Sequence, residues 1–104
     1  MREVLVVFDE PIMNPQGDMF FAEALGRQRT EDSLWEGWLE FIPVDDPTQR
    51  ISSGRETTQP KRTDLEYWSQ GLSRVYLQGA LLRAQAAAEE EASVKGAEPD
   101  ELGV

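Results

Sequence analysis

The central part of the chain alternates apolar or small residues with charged ones, as the two arms of an antiparallel hairpin would. In the first arm, residues 19–29, the even positions are apolar or small: Phe20, Ala22, Ala24 and Gly26. In the second arm, residues 34–44, the odd positions are the apolar or small ones: Trp35, Gly37, Leu39 and Phe41. A period of two is typical of strands that bury one face. The alternation therefore predicts a β-hairpin over residues 19–44.

The change from even to odd positions also predicts how the two arms pair. Directly opposed residues of an antiparallel pair share one face of the sheet. A turn centred on Glu31-Asp32 pairs Ala24 with Leu39 and Ala22 with Phe41, so that small side chains lie beside large ones. This turn lacks the glycine that two-residue hairpin loops prefer, which leaves a longer loop open.

Two further segments of the chain have strand signals. The β-branched and apolar run Val4–Phe8 predicts an N-terminal strand buried on both faces, which ends before Pro11 because proline cannot donate to a ladder. A dense cluster of turn residues follows at 14–18. Residues 49–62 alternate only weakly and contain Gly54, so we interpret them as either a polar edge strand or an ordered loop.

The last third of the chain has the periodicity of helices. Thr63 and Glu66 have the spacing of a capping box at a helix start. Apolar or small residues then recur at three- and four-residue steps: Leu65, Trp68, Leu72, Val75, Tyr76, Gly79 and Leu82. Gly71 leaves open a division into two helices, the second capped by Ser73. Helix propensity continues to Glu91, and residues 92–104 are predicted to be a disordered acidic tail.

Together these patterns predict an α+β fold. It has a three- or four-stranded antiparallel sheet, containing the hairpin 19–44, with one or two C-terminal helices packed on it. The 104 residues suffice for a single domain, which we assign to residues 1–91. A domain of this size buries only about 60–65% of its unfolded surface, so pairing with another copy or another protein would enlarge a modest core.

The composition narrows the chemistry that is open to the protein. Cysteine and histidine are both absent, which excludes disulfides, thiolate nucleophiles, Cys/His zinc sites and imidazole acid–base catalysis. We predict no catalytic residue, no cofactor and no metal ligand. No apolar run approaches the roughly 20 residues needed to span a membrane, and acidic residues come too early for a signal peptide. We therefore expect a cytoplasmic setting without membrane contact.

Adjacent polar residues offer candidate chemistry at three places, and each has a simpler explanation. Asp9-Glu10 and Asp45-Asp46 are paired carboxylates, but both lie beside prolines, where aspartate commonly stabilises turns. Ser52-Ser53-Gly54 has neither a histidine to activate a hydroxyl nor the flanking residues of a nucleophile motif. All three are therefore interpreted as turn or loop residues.

Charge is distributed unevenly along the chain. The formal net charge is −10, which argues against nucleic acid as a partner. Residues 49–63 reverse this sign with four cations: Arg50, Arg55, Lys61 and Arg62. They could contact an anion through guanidinium groups and nearby backbone N–H groups. In the alternative interpretation they only offset the acidic surface or pair with acidic side chains such as Glu36, Glu40 and Glu66.

Three large side chains have the opposite parity to the predicted core. Phe21, Leu25 and Trp38 fall on the nominally outer face of the hairpin, and tryptophan and leucine on a polar sheet face often mark an interface. The competing interpretation is a sheet covered on both faces. Our first hypothesis is a non-catalytic interaction or regulatory module that self-associates through these residues. The alternative is an anion or nucleic-acid contact through residues 50–62, and an enzyme comes third.

Overall fold

Two C-terminal helices cover one face of an antiparallel sheet. The computed structural model describes the chain from Met1 to Leu102, with side chains as far as Ser93. The strands are β1 (Glu3–Val7), β2 (Ile12–Met13), β3 (Met19–Gln28), β4 (Trp35–Pro43) and β5 (Ile51–Gln59), and the helices are α1 (Arg62–Gln70) and α2 (Arg74–Leu102). The sheet order is β1-β3-β4-β5, with β2 also pairing with β3. The predicted α+β class is confirmed, and the short β2 is an addition to it.

The central hairpin has the predicted register. Ala24 lies opposite Leu39, and the pairing continues without a shift along the whole of β3 and β4. The connecting loop is the longer kind: the Arg29 N–H donates to the Leu34 carbonyl at 2.7 Å, and Ser33 closes the loop in the left-handed region with φ of 62°. Parity, residue volume and the turn centre at Glu31-Asp32 together predicted this pairing correctly.

The core lies between the sheet and α2. Its buried members are, from the sheet, Ile12, Phe20, Ala22, Ala24, Leu39 and Phe41, and from α2, Leu77, Ala80, Leu81 and Ala84. The alanines of β3 lie beside the larger Leu39 and Phe41 of β4, as the alternation predicted. Trp68 of α1 packs against this cluster and is partly buried.

Two opposed glycines allow α1 to approach the sheet closely. Gly26 of β3 pairs with Gly37 of β4, and Leu65 of α1 lies over both. A Cβ atom at Gly37 would lie 2.8 Å from Leu65 Cδ1 and from Trp68 Cζ3, closer than carbon atoms can pack. The missing side chains thus form the trough that receives Leu65, which is fully buried.

The N-terminal strand differs from its prediction. It was expected to be buried on both faces, and this is wrong: β1 is an edge strand, with Val4 51% and Val7 61% exposed. The helices cover only one face of the sheet, so alternate residues of β1 remain uncovered. The β1–β3 ladder also contains a bulge between Val4 and Val6. The segment that could have been a strand or a loop is the opposite edge strand, β5.

The predicted capping box is also wrong. Helix α1 begins at Arg62, with Lys61 at the N-cap and no side-chain cap hydrogen bond. Thr63 is therefore already inside the first turn, where its hydroxyl cannot cap the helix start. Glu66 pairs with Arg62, four residues before it, instead of returning to the backbone of Thr63.

The chain breaks at Gly71, which confirms the two-helix alternative. The Ser73 hydroxyl accepts a hydrogen bond from the Tyr76 N–H at 3.1 Å, as expected for the cap of the second helix. The break changes the helical phase, so the expected apolar face continuing to Leu82 is wrong. Helix α2 buries Leu77 and its partners in the core, whereas Val75 and Leu82 are exposed.

The structure describes only part of the segment predicted to be a disordered acidic tail, residues 92–104. Helix α2 contains residues 92–102 of the segment predicted to be a disordered acidic tail. The side chains beyond residue 93, and residues 103–104 altogether, lie outside the described part of the chain. The tail therefore stays a prediction. Among the described residues, no helix has the length and apolarity to cross a membrane.

A polar contact ties α2 to the edge strand β5. The Tyr76 hydroxyl donates to the Glu56 carboxylate, and Arg83 binds the same oxygen at 2.5 Å. Arg83 also lies over the Tyr76 ring, 5.7 Å from its centroid. The Glu56 side chain is only 7% exposed, so these two partners take the place of water around its carboxylate.

We expect Tyr76→Phe to lower the free energy of unfolding by about 1 kcal/mol, since a partly exposed bond to a carboxylate is lost. Burial and the Glu56 carboxylate raise the pKa of Tyr76 above 10.0. Its contribution is therefore present below pH 10 and is lost as pH rises through the folded-state pKa. Urea unfolding at neutral pH and at about pH 11 measures both effects. The exposed Tyr67→Phe is the control, and an equal effect of the two substitutions would contradict this prediction.

Candidate functional site

Both helices pack on one side of the sheet, and the other side, which we name the open face, faces away from them. Five cross-strand pairs of the hairpin form its centre: Met19 with Val44, Phe21 with Ile42, Glu23 with Glu40, Leu25 with Trp38, and Arg27 with Glu36. The pairs at one end are apolar, the middle pair is acidic, and the last pair is an Arg–Glu ion pair. Leu25 and Trp38 separate the acidic pair from the ion pair, so the open face is apolar at one end and mixed along the rest.

The apolar end of the open face carries large hydrophobic side chains in contact with solvent. We name this the apolar patch: Val7, Met19, Phe21, Ile42 and Val44. Val7 is 61%, Phe21 42% and Val44 43% exposed. Phe21 pairs with Ile42, the Val44 N–H donates to Met19, and Val7 pairs with Glu23, the neighbour of Phe21 on this face. The patch is therefore assembled from neighbouring segments that are dispersed in the sequence. Contiguous exposed apolar residues on a small domain commonly mark a binding surface.

The three residues predicted as an interface share the open face, as parity indicated, but they differ in accessibility. Phe21 belongs to the apolar patch. Leu25 is 0% exposed and lies between Val4 of β1 and Trp38 of β4. It therefore offers a partner no accessible surface of its own. Trp38 is half-buried, and its indole N–H donates to Glu40 Oε2 at 2.8 Å. Of the three, Phe21 offers the most accessible surface.

An ion network occupies the middle of the open face. Glu23 and Glu40 lie directly opposite each other, where two like charges would repel. Arg50 binds both carboxylates, and Arg2 donates from Nη1 to Glu40 Oε2 at 2.9 Å. Glu40 is 6% exposed. We name these four residues, with the donating Trp38, the carboxylate network.

Opposing effects determine the protonation state of this network. Burial alone would raise the pKa of Glu40, but the hydrogen bonds from Trp38 and Arg50 outweigh it and lower that pKa. Burial alone would likewise lower the pKa of Arg50, which its bonds to Glu40 and Glu23 raise. Both partners are therefore held in their charged forms at neutral pH, and the network acts as a structural ion cluster.

Two of the four cations predicted to contact an anion are used within the fold. Arg50 belongs to the carboxylate network. Arg62 binds Glu3 Oε1 from Nε at 2.6 Å and also pairs with Glu66. The alternative interpretation, that these cations pair with acidic side chains, matches the contacts of these two. The pairs of Arg62 are exposed and contribute little free energy, typically under about 1 kcal/mol, whereas Arg50 binds the buried Glu40.

The other two cations lie apart from each other. Arg55 is opposite Trp38 on the open face, and Lys61 precedes α1 beyond the end of β5. Neither pairs with a carboxylate among the described residues. Arg50 and Lys61 lie beyond opposite ends of β5, whose nine residues span roughly 26 Å at about 3.3 Å per step. The four cations therefore do not converge on one small ligand.

The serines considered as candidate chemistry have backbone partners. The Ser53 hydroxyl accepts the Leu39 N–H at 3.1 Å, and the Ser52 hydroxyl accepts the Gly54 N–H at 3.2 Å. Gly54 has φ of 78°, and the β4–β5 ladder shifts register on either side of Trp38. Both serine hydroxyls thus accept backbone N–H groups where the bulges interrupt the ladder. In the part of the chain that the structure describes, no three acidic side chains converge as metal ligands would.

The carboxylate network was not recognised in the sequence, although one signal for it existed. The predicted register places Glu23 opposite Glu40, and a directly opposed acidic pair needs a cation nearby. Of its cations, Arg50 lies only 10 residues from Glu40, which was already a candidate acidic partner for it, but Arg2 lies 38 residues from Glu40 and was not considered. Comparison with known proteins adds no relative: no family, no curated protein and no solved structure matches the chain.

Proposed function

We propose that this protein is a non-catalytic interaction or regulatory module that self-associates through its open face. The observation that carries the proposal is the apolar patch, where Val7, Phe21 and Val44 are each more than two-fifths exposed on a face away from both helices. Burying such a patch between two proteins gains about 25 cal/mol of free energy for each Å² of apolar surface removed from water. This is the dominant favourable contribution in most protein association.

Charge favours a second copy of this chain as the occupant. The open face has four arginines against three glutamates: Arg2, Arg27, Arg50 and Arg55 against Glu23, Glu36 and Glu40. The whole chain, in contrast, has a net charge of −10. Two copies repel each other least when these nearly neutral faces meet, because like charges on the rest of their surfaces then stay apart.

The dimensions of the open face also suit a dimer. Strand β3 has 10 residues, which corresponds to about 33 Å, and four strands span about 19 Å. The projected area of about 600 Å² is comparable to the roughly 800 Å² that each partner buries in a standard interface. Two copies related by an axis parallel to the strands would place apolar patch against apolar patch, as an isologous contact requires.

We expect Phe21→Glu to weaken self-association at least tenfold and to leave the monomer folded. The substitution places a charge within the apolar patch, where it would be desolvated in the dimer but remains hydrated in the monomer. Sedimentation equilibrium over a concentration series measures the dissociation constant, and circular dichroism checks the fold. Trp38→Glu is a less specific variant, because it also removes the indole donor to Glu40 and adds a second carboxylate beside it.

The matched control for that experiment is Val75→Glu, which adds the same charge to a site on α2 that is 77% exposed. It should associate like the unmodified chain. A chain that stays monomeric at millimolar concentration would reject self-association. Equal weakening by both substitutions would instead assign the effect to net charge and would reject the open face as the interface.

The second candidate function, contact with an anion or nucleic acid through residues 50–62, has narrower support. Arg55 and Lys61 are exposed and make no ion pair with described residues, whereas Arg50 and Arg62 are already paired. An extended polyanion could still bridge the two available cations along β5. The candidate ranks second because only half of its cations are available to a partner.

A further inference from the structure

A polar cleft lies at the end of the open face that is furthest from the apolar patch. Its volume is about 350 Å³, and three arginines line it, Arg27, Arg29 and Arg55, together with Glu31 and Glu36. We name it the arginine cleft. Clefts that hold small ligands start at about 300 Å³, so this one has room for a compact molecule.

The arginines of this cleft have hydrogen-bonding capacity left over. Arg27 donates from Nε to Glu36 at 2.9 Å, and its two terminal nitrogens have no partner among the described residues. Arg55 donates to no described side chain or carbonyl. The buried Arg29 Nε lies 3.2 Å from Asp32, but its geometry does not make a hydrogen bond. A guanidinium presents five donors, so each side chain can bind more than it does.

The cleft is far less acidic than the molecule as a whole. Three guanidinium groups and two carboxylates line it, and Asp32 lies 3.2 Å from Arg29, whereas the chain has a net charge of −10. One carboxylate, Glu36, is only 13% exposed and is held by Arg27 Nε. The other, Glu31, is 67% exposed and lies 3.5 Å from Arg29. The guanidinium groups of Arg27 and Arg55 therefore offer an anion donors that no carboxylate of the cleft occupies.

A second groove, of about 240 Å³, continues from the arginine cleft along the sheet. It shares Arg27, Glu36 and Arg55 with the cleft and adds Trp38. The Arg27 guanidinium lies over the Trp38 indole, 5.8 Å from the ring centroid. The guanidinium covers part of this indole face, and the part of Trp38 that lines the groove gives a flat apolar group an aromatic contact beside the cationic donors.

We propose that the arginine cleft binds a small aromatic anion. Its phosphate or carboxylate group accepts paired hydrogen bonds from Arg27 and Arg55, and its ring lies along Trp38. Guanidinium groups match the geometry of both oxyanions, so the cleft chemistry is shared by the two ligand types. This proposal goes beyond self-association, because it concerns the binding of a small ligand at the end of the open face opposite to the apolar patch. The cleft shares Arg27, Glu36 and Arg55 with the face that a dimer would cover, so binding is also tested in a variant with weakened self-association.

The test titrates the full chain with phenyl phosphate, benzoate and inorganic phosphate in separate arms. Calorimetry measures the affinity, and the shift of the Trp38 indole N–H in NMR spectra locates the ligand. We expect saturable binding of phenyl phosphate or benzoate, the tighter of the two identifying the anion type, and binding of inorganic phosphate at least tenfold weaker. Arg55→Ala should weaken the aromatic ligand at least tenfold, since it removes one of two binding guanidinium groups.

Lys61→Ala is the matched control, because it removes an exposed cation that lies outside the cleft; it should bind like the unmodified chain. Each titration is repeated with Phe21→Glu, so that the oligomeric state cannot hide or create a site and each proposal can fail separately. Absence of saturable binding in both backgrounds would overturn the proposal. So would equal losses in Arg55→Ala and Lys61→Ala, which would indicate general attraction of anions, or binding that leaves the Trp38 signal unmoved.

Discussion

Replacing Gly37 with valine is expected to lower the free energy of unfolding by about 3 kcal/mol. A Cβ at this position would meet Leu65 Cδ1 and Trp68 Cζ3 at 2.8 Å and Thr57 Cγ2 at 3.1 Å. The neighbours cannot yield easily, since Leu65 is fully buried and the indole of Trp68 is rigid. Helix α1 must therefore move away from the sheet. Valine has a higher strand propensity than glycine, so local preference alone predicts the opposite sign.

Urea unfolding followed by circular dichroism measures this loss, with Gly79→Ala as the control. Gly79 lies in α2, where a Cβ would meet only Arg83 Nη1 at 3.6 Å, so alanine should stabilise the protein by about 0.5–1 kcal/mol. The two glycine replacements thus have opposite expected signs. A Gly37→Val protein as stable as the original would show that α1 does not pack over the glycine pair.

Glu40→Ala is expected to lower the free energy of unfolding by about 2–3 kcal/mol. Removal of one partner from a buried ion cluster leaves the others with unmatched charge, and the cost falls below that of a fully buried pair because Arg50 and Arg2 reach solvent. The Trp38 indole N–H also loses its acceptor. Glu23→Ala is the comparison variant. It should lower the free energy of unfolding by less than Glu40→Ala does, because the Glu23 carboxylate is more exposed and binds only Arg50.

Glu40 should also make the free energy of unfolding depend on pH in the acid range. The bonds from Trp38 and Arg50 outweigh burial and lower the pKa of Glu40 below 4.5 in the folded protein. Its contribution to stability is therefore present above pH 4.5 and is lost as pH falls through the folded-state pKa. Urea unfolding from about pH 7 down to about pH 3, with Glu40→Gln as the uncharged isostere, isolates this contribution. An acid slope unchanged by Glu40→Gln would refute it.

The parts of the fold that the sequence predicted well depend on neighbouring strands. The β3–β4 register follows from volume and parity, because Ala24 opposite Leu39 fills one core layer and any shift by one residue would expose it. The burial of β1 could not be predicted in this way. Whether Val4 and Val7 are covered depends on what lies beyond the strand and above its second face, which no local pattern records.

For the candidate site, the sequence predicted which residues share a face but not how exposed each one is. Parity placed Phe21, Leu25 and Trp38 on one face, but their exposure depends on neighbours from other strands: Val4 flanks Leu25, and Arg27 lies over Trp38. The helical phase failed for a local reason. The turn at Gly71 rotates α2 relative to α1, so that a periodicity continuous in the sequence is divided between two different faces in space.

The edges of the sheet also limit how large an assembly this protein can form. At one edge, β1 is short and bulged, and Pro11 interrupts the chain before β2 continues along β3. At the other edge, β5 is polar and kinked at Gly54. Both edges are poor templates for an incoming strand, which protects the chain from growing into fibrils. The contact that we propose through the open face would be self-complementary, so it would close at two copies and leave no free end to extend.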